Sequence, residues 1–299
     1  MLTETNPVLR IIHDEKIVHR LMILPAFTAL IGVMYPFMLG VFTSLTDQRL
    51  YADGYNFIFV QNYIDNLMNP VFITSLFNTL LYTFLAIILQ IPLGICAALI
   101  LDTKTKIQPF LRSFIVFPLL IPPIVSALMW RTMMQPTSGV LNYFLRLFGS
   151  NGYPFLADIH SVLFSLVIID TWIFLPFTAI VLLSGLQSLP SDMIEAGQVD
   201  GASSLRVFYS IKLPWLKSYI LLALLFRVCD SLKAFDVIYA TTRGGPLNAS
   251  RTLNILAYEE AFRWSNTGSA LSVVFTLWII AYIISSILIR KWHKSGIEV

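Results

Sequence analysis

Arg227, Asp230, Lys233 and Asp236 recur every three residues, with alternating sign, inside one apolar stretch. Asp170 lies in another, with Phe174 and Phe177 on its helical face and Thr171 and Trp172 beside it. Charges embedded in apolar sequence are costly and mark functional positions by default. In the first set each residue reaches a neighbour of opposite sign one turn away, so a self-neutralising ladder is the plain structural reading. Three residues advance about 300 degrees round a helix, which sets Arg227 opposite Asp236 and forbids all four from lining one path. Asp170 among aromatics suits a sugar, whose hydroxyls donate to a carboxylate and whose apolar face stacks on a ring. A packed helix interface shows the same residues. The candidate pathway set is Asp170, Trp172, Phe174, Asp230, Lys233 and Asp236.

A different chemistry, that of docking, belongs to a polar run between two apolar segments. Glu195-Ala196-Gly197-Gln198-Val199-Asp200-Gly201-Ala202 is followed by Ile211-Lys212-Leu213-Pro214. Ser191 and Asp192 stand at the expected helix N-cap, and Glu195 falls in the opening turn, where a carboxylate suits the helix dipole. Gly201 is expected to end or bend this helix. A second amphipathic run follows, with Leu205, Val207, Phe208 and Ile211 apolar and Arg206 and Lys212 polar, until Pro214 stops it. A helix, a glycine hinge and a helix would project from a membrane surface and dock another protein. From the residues alone, an ordinary structured cytoplasmic loop reads equally well.

The elements that must position these groups follow from composition. Of 299 residues, 57% are hydrophobic and 12% charged, with mean hydropathy +0.74. No soluble domain of this size has that balance, so length counts membrane spans, each of about 20 apolar residues. Six are expected, near residues 21–45, 71–101, 110–134, 159–187, 218–242 and 269–290. They form an all-α transmembrane domain over 21–290, with tails at 1–20 and 291–299 and the polar loop at 188–217 between spans four and five. Pro118, Pro122 and Pro123 should kink the third span. Asn78 and Gln90 read as interhelical hydrogen bonds within the second. Lysine and arginine favour the tails and the loops at 102–112 and 187–217 by about two to one, which puts both termini and the polar loop inside the cell. Cys96 and Cys229 both lie in apolar segments and support neither a disulfide framework nor a metal site. No cleavable signal peptide is expected, because residues 1–20 are polar and the first apolar run is too long. The net charge of +3 gives no reason to expect nucleic acid as a partner.

The run from Glu195 to Pro214 resembles the signature loop of the membrane subunits of ABC importers, in the pattern E-A-A, three residues, G, then I-x-L-P. Glu195, Ala196, Gly201, Ile211, Leu213 and Pro214 match, and Gly197 replaces the usual second alanine. Asn62-Tyr63 with Val71-Phe72 is similar to the entry to the second span of sugar-type permeases. Phe235-Asp236-Val237-Ile238, Thr242 and Gly244-Gly245-Pro246 are similar to a run typical of carbohydrate permeases of the maltose and glycerol-phosphate type. The resemblance implies a multi-pass permease subunit in the cytoplasmic (inner) membrane of a prokaryote, contacting membrane lipid. It implies that Glu195, Ala196, Asp200, Gly201 and Ala202 form a coupling helix seated on a separate ABC ATPase dimer. A second homologous permease would complete the pathway, and Gly244, Gly245 and Pro246 would touch an extracytoplasmic solute-binding protein. This chain would need no cofactor, ATP and Mg being held by the partner ATPases.

No G-x-x-x-x-G-K phosphate loop occurs, so this chain is not expected to bind nucleotide or act as an enzyme. H-E-x-x-H, C-x-x-C and G-x-S-x-G are absent too. The rival reading is an ion-driven secondary carrier in which Asp170 or Asp230 titrates or binds a cation. It leaves the run from Glu195 to Pro214 without a purpose. A permease for a phosphorylated polyol is a further alternative, in which Arg227 and Lys233 would matter more.

Overall fold

The computed structural model describes residues 15–103 and 105–294. The outer parts of both expected tails, and Lys104, lie outside the described residues. Apart from two isolated β-bridges, regular structure among the described residues is helical. Helix α1 is Glu15–Ser44, α2 Gln61–Met68, α3 Pro70–Asp102, α4 Gln108–Val116 and α5 Pro123–Met133. Then follow α6 Val140–Leu147, α7 Val162–Gln187, α8 Ser191–Val199 and α9 Ser204–Val207. The chain ends with α10 Leu213–Leu232, α11 Asp236–Thr241, α12 Leu253–Phe262 and α13 Thr267–Lys294.

Among the described residues four stretches are long and apolar enough to cross a membrane: Ile23–Ser44 of α1, and all of α3, α7 and α13. Helix α3 begins where Asn69 Oδ1 accepts from the Val71 amide at 2.9 Å and Pro70 occupies the first turn, where its missing N–H costs nothing. Its 33 residues rise about 50 Å, longer than a bilayer core of about 30 Å, so one end reaches beyond the apolar layer.

The third expected span is broken rather than kinked. Helix α4 runs through a 3-10 turn at Phe117–Leu120, and α5 leaves it at 99°, so the two count as one span only as a bent pair. Pro118, Pro122 and Pro123 remove three amide donors within six residues, more than one kink absorbs. The fifth is also interrupted. Helix α10 stops at Leu232 and α11 restarts at Asp236.

Helix α3 is the axis of the bundle, and its contact with α7 is the most extensive between any two helices. Tyr82, Ala86, Leu166, Ile169 and Ile173 fill that seam. Toward one end Ala98, Leu101, Leu182, Leu186 and Leu216 join α3, α7 and α10. On the other flank Phe72, Val228, Leu232, Leu253 and Val273 bring in α12 and α13. Helix α1 lies outside this core and leans on α13 through Phe37, whose ring meets Phe275 and Trp278 edge-on at 5.4 and 5.5 Å. From Ile23 to Phe42 most of its other apolar side chains are exposed, as a face in contact with lipid requires.

Candidate functional site

At the centre of the bundle a charged cluster ties three helices together. Arg227 on α10 is 0% exposed and Asp170 on α7 is 2% exposed. The Arg227 Nη2 donates to Asp170 Oδ2 at 2.7 Å, and its Nε to Gln90 Oε1 at 2.5 Å. Gln90, on α3, completes the triangle by donating from Nε2 to the same Asp170 oxygen at 2.7 Å. The Phe174 ring covers the guanidinium, 4.3 Å from its centroid. Buried charge is tolerable only when paired and hydrogen-bonded in this way. Gln90 is thus an interhelical hydrogen bond, as its position within a span suggests. Asn78 differs from that expectation, donating not to another helix but to the carbonyls of Asn248 and Arg251, in the loop between α11 and α12, at 2.8 and 3.0 Å.

Beside the cluster opens an inner cavity of about 290 Å³ lined by Asp170, Phe174, Asp230, Lys233, Phe235 and Asp236, among others. It brings together five of the six candidate pathway residues. Trp172 is not among them. Two residues along α7 from Asp170, it faces the opposite way, edge-on to Trp130 at 6.0 Å and against Phe117 and Pro176 in a separate apolar cavity.

Asp230, Lys233 and Asp236 share a cavity because the helix carrying them does not continue. The Asn254 amide donates to the Leu232 carbonyl at 3.1 Å, satisfying the end of α10, and the chain turns at Lys233. Asp230 stands 3.7 Å from both Arg227 Nη1 and Lys233 Nζ, so part of the ladder exists. Arg227 is not among the cavity-lining residues.

The docking run folds as a helix, a turn and a helix, with corrected ends. Pro190, not Ser191 or Asp192, is the N-cap of α8. Asp192 therefore supplies the carboxylate of the first turn, and Glu195 lies in the second. After Val199 the chain closes in a Schellman turn: the Ala202 amide donates to the Gly197 carbonyl at 2.9 Å and the Gly201 amide to that of Gln198 at 3.0 Å. Gly201 holds φ +74°, and a Cβ built there would meet nothing within 4 Å. The turn thus requires glycine for its backbone angle and not for space. At Gly197 a Cβ would lie 2.9 Å from Ile211 Cδ1, the movable end of that side chain, so a small shift there would admit the usual alanine. Ser203 caps α9, and one wider π-turn, Phe208–Lys212, runs straight into α10. Pro214 does not stop this run. It occupies the first turn of α10, where proline is well placed.

Glu195, Ala196, Asp200 and Gly201 are exposed and Ala202 is half-buried. Val199 on the same surface is 87% exposed. The element is moored to the end of α3 by Lys212 Nζ, 3.1 Å from Asp102 Oδ2. Elsewhere, Gly244, Gly245 and Pro246 shape a turn after α11 that helps line a cavity of about 700 Å³. The Ser250 hydroxyl donates to the Gly245 carbonyl at 2.5 Å, and the hydroxyls of Thr242 and Ser250 lie 2.8 Å apart. The Asn78 bonds fix this loop to α3.

Sequence reasoning placed Arg227 in the ladder and in the phosphorylated-polyol alternative, and missed that it is the hub of the buried cluster. The available signal was Gln90, a second polar group at span depth in need of a partner. Pro123 and Phe235, which complete the inner cavity, carried no separate signal.

Broken helices round a charged centre, with a moored exposed helical turn, define a membrane transport component. The family model for the binding-protein-dependent transport system inner membrane component matches residues 90–298, and the chain belongs to that family. It is a multi-pass inner-membrane protein and a transport subunit, not an enzyme. It is 33% identical over 280 residues to the trehalose/maltose transport system permease protein of Thermococcus litoralis, covering 92% of this chain and 94% of that one. It is 30% identical over 279 residues to the multiple sugar-binding transport system permease protein of Streptococcus mutans, covering 91% and 94%. A bacterial ABC transporter involved in import of the acidic polysaccharide alginate contains a chain of the same fold. The TM-score is 0.82 at 20% identity, over 93% of this chain and 95% of that one.

Proposed function

We propose that this chain is the membrane-spanning permease subunit of an ATP-driven carbohydrate importer and forms half of its translocation pathway. Kinship with sugar permeases over nine-tenths of the chain carries the reading. The chain crosses the inner membrane six times with both termini in the cytoplasm, the bent pair α4–α5 and the broken pair α10–α11 each serving as one span. A second, homologous permease completes the pathway.

The exposed face of Glu195, Ala196, Asp200, Gly201 and Ala202 docks on an ABC ATPase dimer, which holds ATP and Mg. The rigid Schellman turn and the Lys212–Asp102 mooring support this role, because a lever transmits motion only if its ends do not yield. ATP binding draws the two ATPases together, the coupling helices follow, and the helix bundles rock between inward and outward opening. An extracytoplasmic solute-binding protein meets the loop at Gly244, Gly245 and Pro246. The inner cavity of Asp170, Phe174, Asp230, Lys233 and Asp236 faces the sugar, and Trp172 serves packing instead.

Counting Arg227, which holds Asp170 and approaches Asp230, three carboxylates stand against two cations round that cavity, a small negative balance that favours a neutral saccharide over a phosphorylated polyol. The ion-driven alternative loses its best residue, since Asp170 is already held by Arg227 and Gln90. Affinity purification of the wild-type chain from its native membrane tests the assignment, beside a Glu195→Lys, Gly201→Asp variant. An ATPase and a second permease should accompany the wild type, with the ATPase lost from the variant. A wild-type chain that arrives without either overturns the reading.

A further inference from the structure

The cavity at the Gly244–Pro246 turn has the composition of a ligand site. Three rings line it, those of Tyr239, Tyr258 and Phe262, together with Arg243, Arg251, Glu259 and Arg263. Phe262 is 65% exposed there. Glu259 is shared by two of the arginines, at 2.9 Å from Arg251 and 3.3 Å from Arg263. Arg243 has no carboxylate within ion-pair reach among the described residues; its guanidinium lies 5.7 Å from the centroid of the Tyr239 ring. The Arg251 Nε is buried without a hydrogen-bond partner. A polar rim round aromatic faces is what a saccharide needs: hydroxyls bond to the rim and the apolar ring face stacks.

The rings do not end at this cavity. Phe262 and Tyr258 stand 5.0 Å apart, Tyr258 and Tyr239 5.0 Å, and Tyr258 and Phe235 5.3 Å. Tyr258 and Phe262 also line a neighbouring apolar cavity of about 460 Å³, which shares Lys233 and Phe235 with the inner cavity. Three cavities thus stand in series, and a row of ring contacts spans the joints between them.

We propose that the cavity at the Gly244–Pro246 turn is an entry station for a saccharide, and that Phe262, Tyr258 and Phe235 pass it ring by ring to the inner cavity. This rests on the carbohydrate reading above and adds a site to it. Each ring offers a similar face at a similar distance, so no single step holds the ligand tightly.

The test uses the complete importer, reconstituted in vesicles with its binding protein, and the probes maltose, trehalose and arabino-oligosaccharides. For whichever probe is carried, Phe262→Leu and Tyr258→Leu should each raise the half-saturating concentration about 3- to 10-fold, the scale of one lost ring contact. Phe262→Tyr should restore it. Basal ATP hydrolysis should not change, which a merely destabilised protein would not achieve. Normal half-saturation in both leucine variants overturns the station while leaving the importer reading intact. Weakened docking of the binding protein as the sole effect also overturns it, by making the rings a protein contact. A wild-type importer that carries none of the probes overturns the carbohydrate reading and the station with it.

Discussion

Replacing Asp170 by leucine should cost more than any other single substitution in the bundle. The change removes the 2.7 Å bond from Arg227 Nη2 and the acceptor of Gln90 Nε2. Arg227 keeps Gln90 at 2.5 Å, Ser231 at 3.2 Å and a longer approach to Asp230 at 3.7 Å. It remains a fully buried cation without its close counter-charge, which costs about 3–5 kcal/mol. At about 2–4 °C per kcal/mol, the unfolding midpoint should fall by about 6–20 °C. Asp170→Leu with Arg227→Met should recover most of this, because apolar side chains of similar volume replace buried pairs at little net cost. Fluorescence-detected thermal unfolding of the purified chain in one detergent compares wild type, single and double variants. If the double variant melts as low as the single, the loss comes from packing and the ion-pair argument fails.

Substitutions at Gly201 should grade by backbone angle alone, since no neighbour lies within 4 Å of a Cβ there. Gly201→Asn should transport almost normally, Gly201→Ala should lose about 1–2 kcal/mol of local stability, and Gly201→Pro, unable to reach φ +74°, should abolish uptake at normal membrane abundance. Normal uptake by the proline variant would count heavily against the coupling role. Asp236→Asn should weaken saccharide uptake without altering co-purification of the ATPase, whereas loss of both together would make Asp236 structural. Lys212→Ala and Asp102→Ala should each cost under about 1 kcal/mol, as a partly exposed pair does, and a double-mutant cycle on thermal midpoints should find them coupled; strict additivity would dissolve the mooring.

The long helices were legible because about 20 apolar residues leave the chain few alternatives. Prolines announced a bend at 117–123, but the 99° angle depends on how α5 packs against α11 and α7. The break after Leu232 had no local sign: Leu232-Lys233-Ala234-Phe235 contains neither proline nor glycine. It is set by Asn254, 22 residues further on, whose amide caps the Leu232 carbonyl. The same break removes the continuous helix that the winding argument assumed, although its conclusion stands, since Asp230, Lys233 and Asp236 line the inner cavity and Arg227 does not. In the docking run Gly201 was read correctly from its conformational freedom. The N-cap was misplaced because Ser191 and Asp192 are good caps by type, yet Pro190 fixes the chain one residue earlier. The partners of Arg227 lie 57 and 137 residues away, on helices that only packing brings near. Periodicity along one helix cannot choose among such partners.

Uptake into proteoliposomes holding this chain, its partner permease and the ATPase pair separates the two energy sources directly. Labelled saccharide with its binding protein is supplied on one side and ATP on the ATPase side, with and without an ionophore. Saccharide should accumulate only with ATP and be indifferent to the ionophore. Accumulation by the chain alone, driven by an ion gradient and abolished by the ionophore, would contradict the account at its centre.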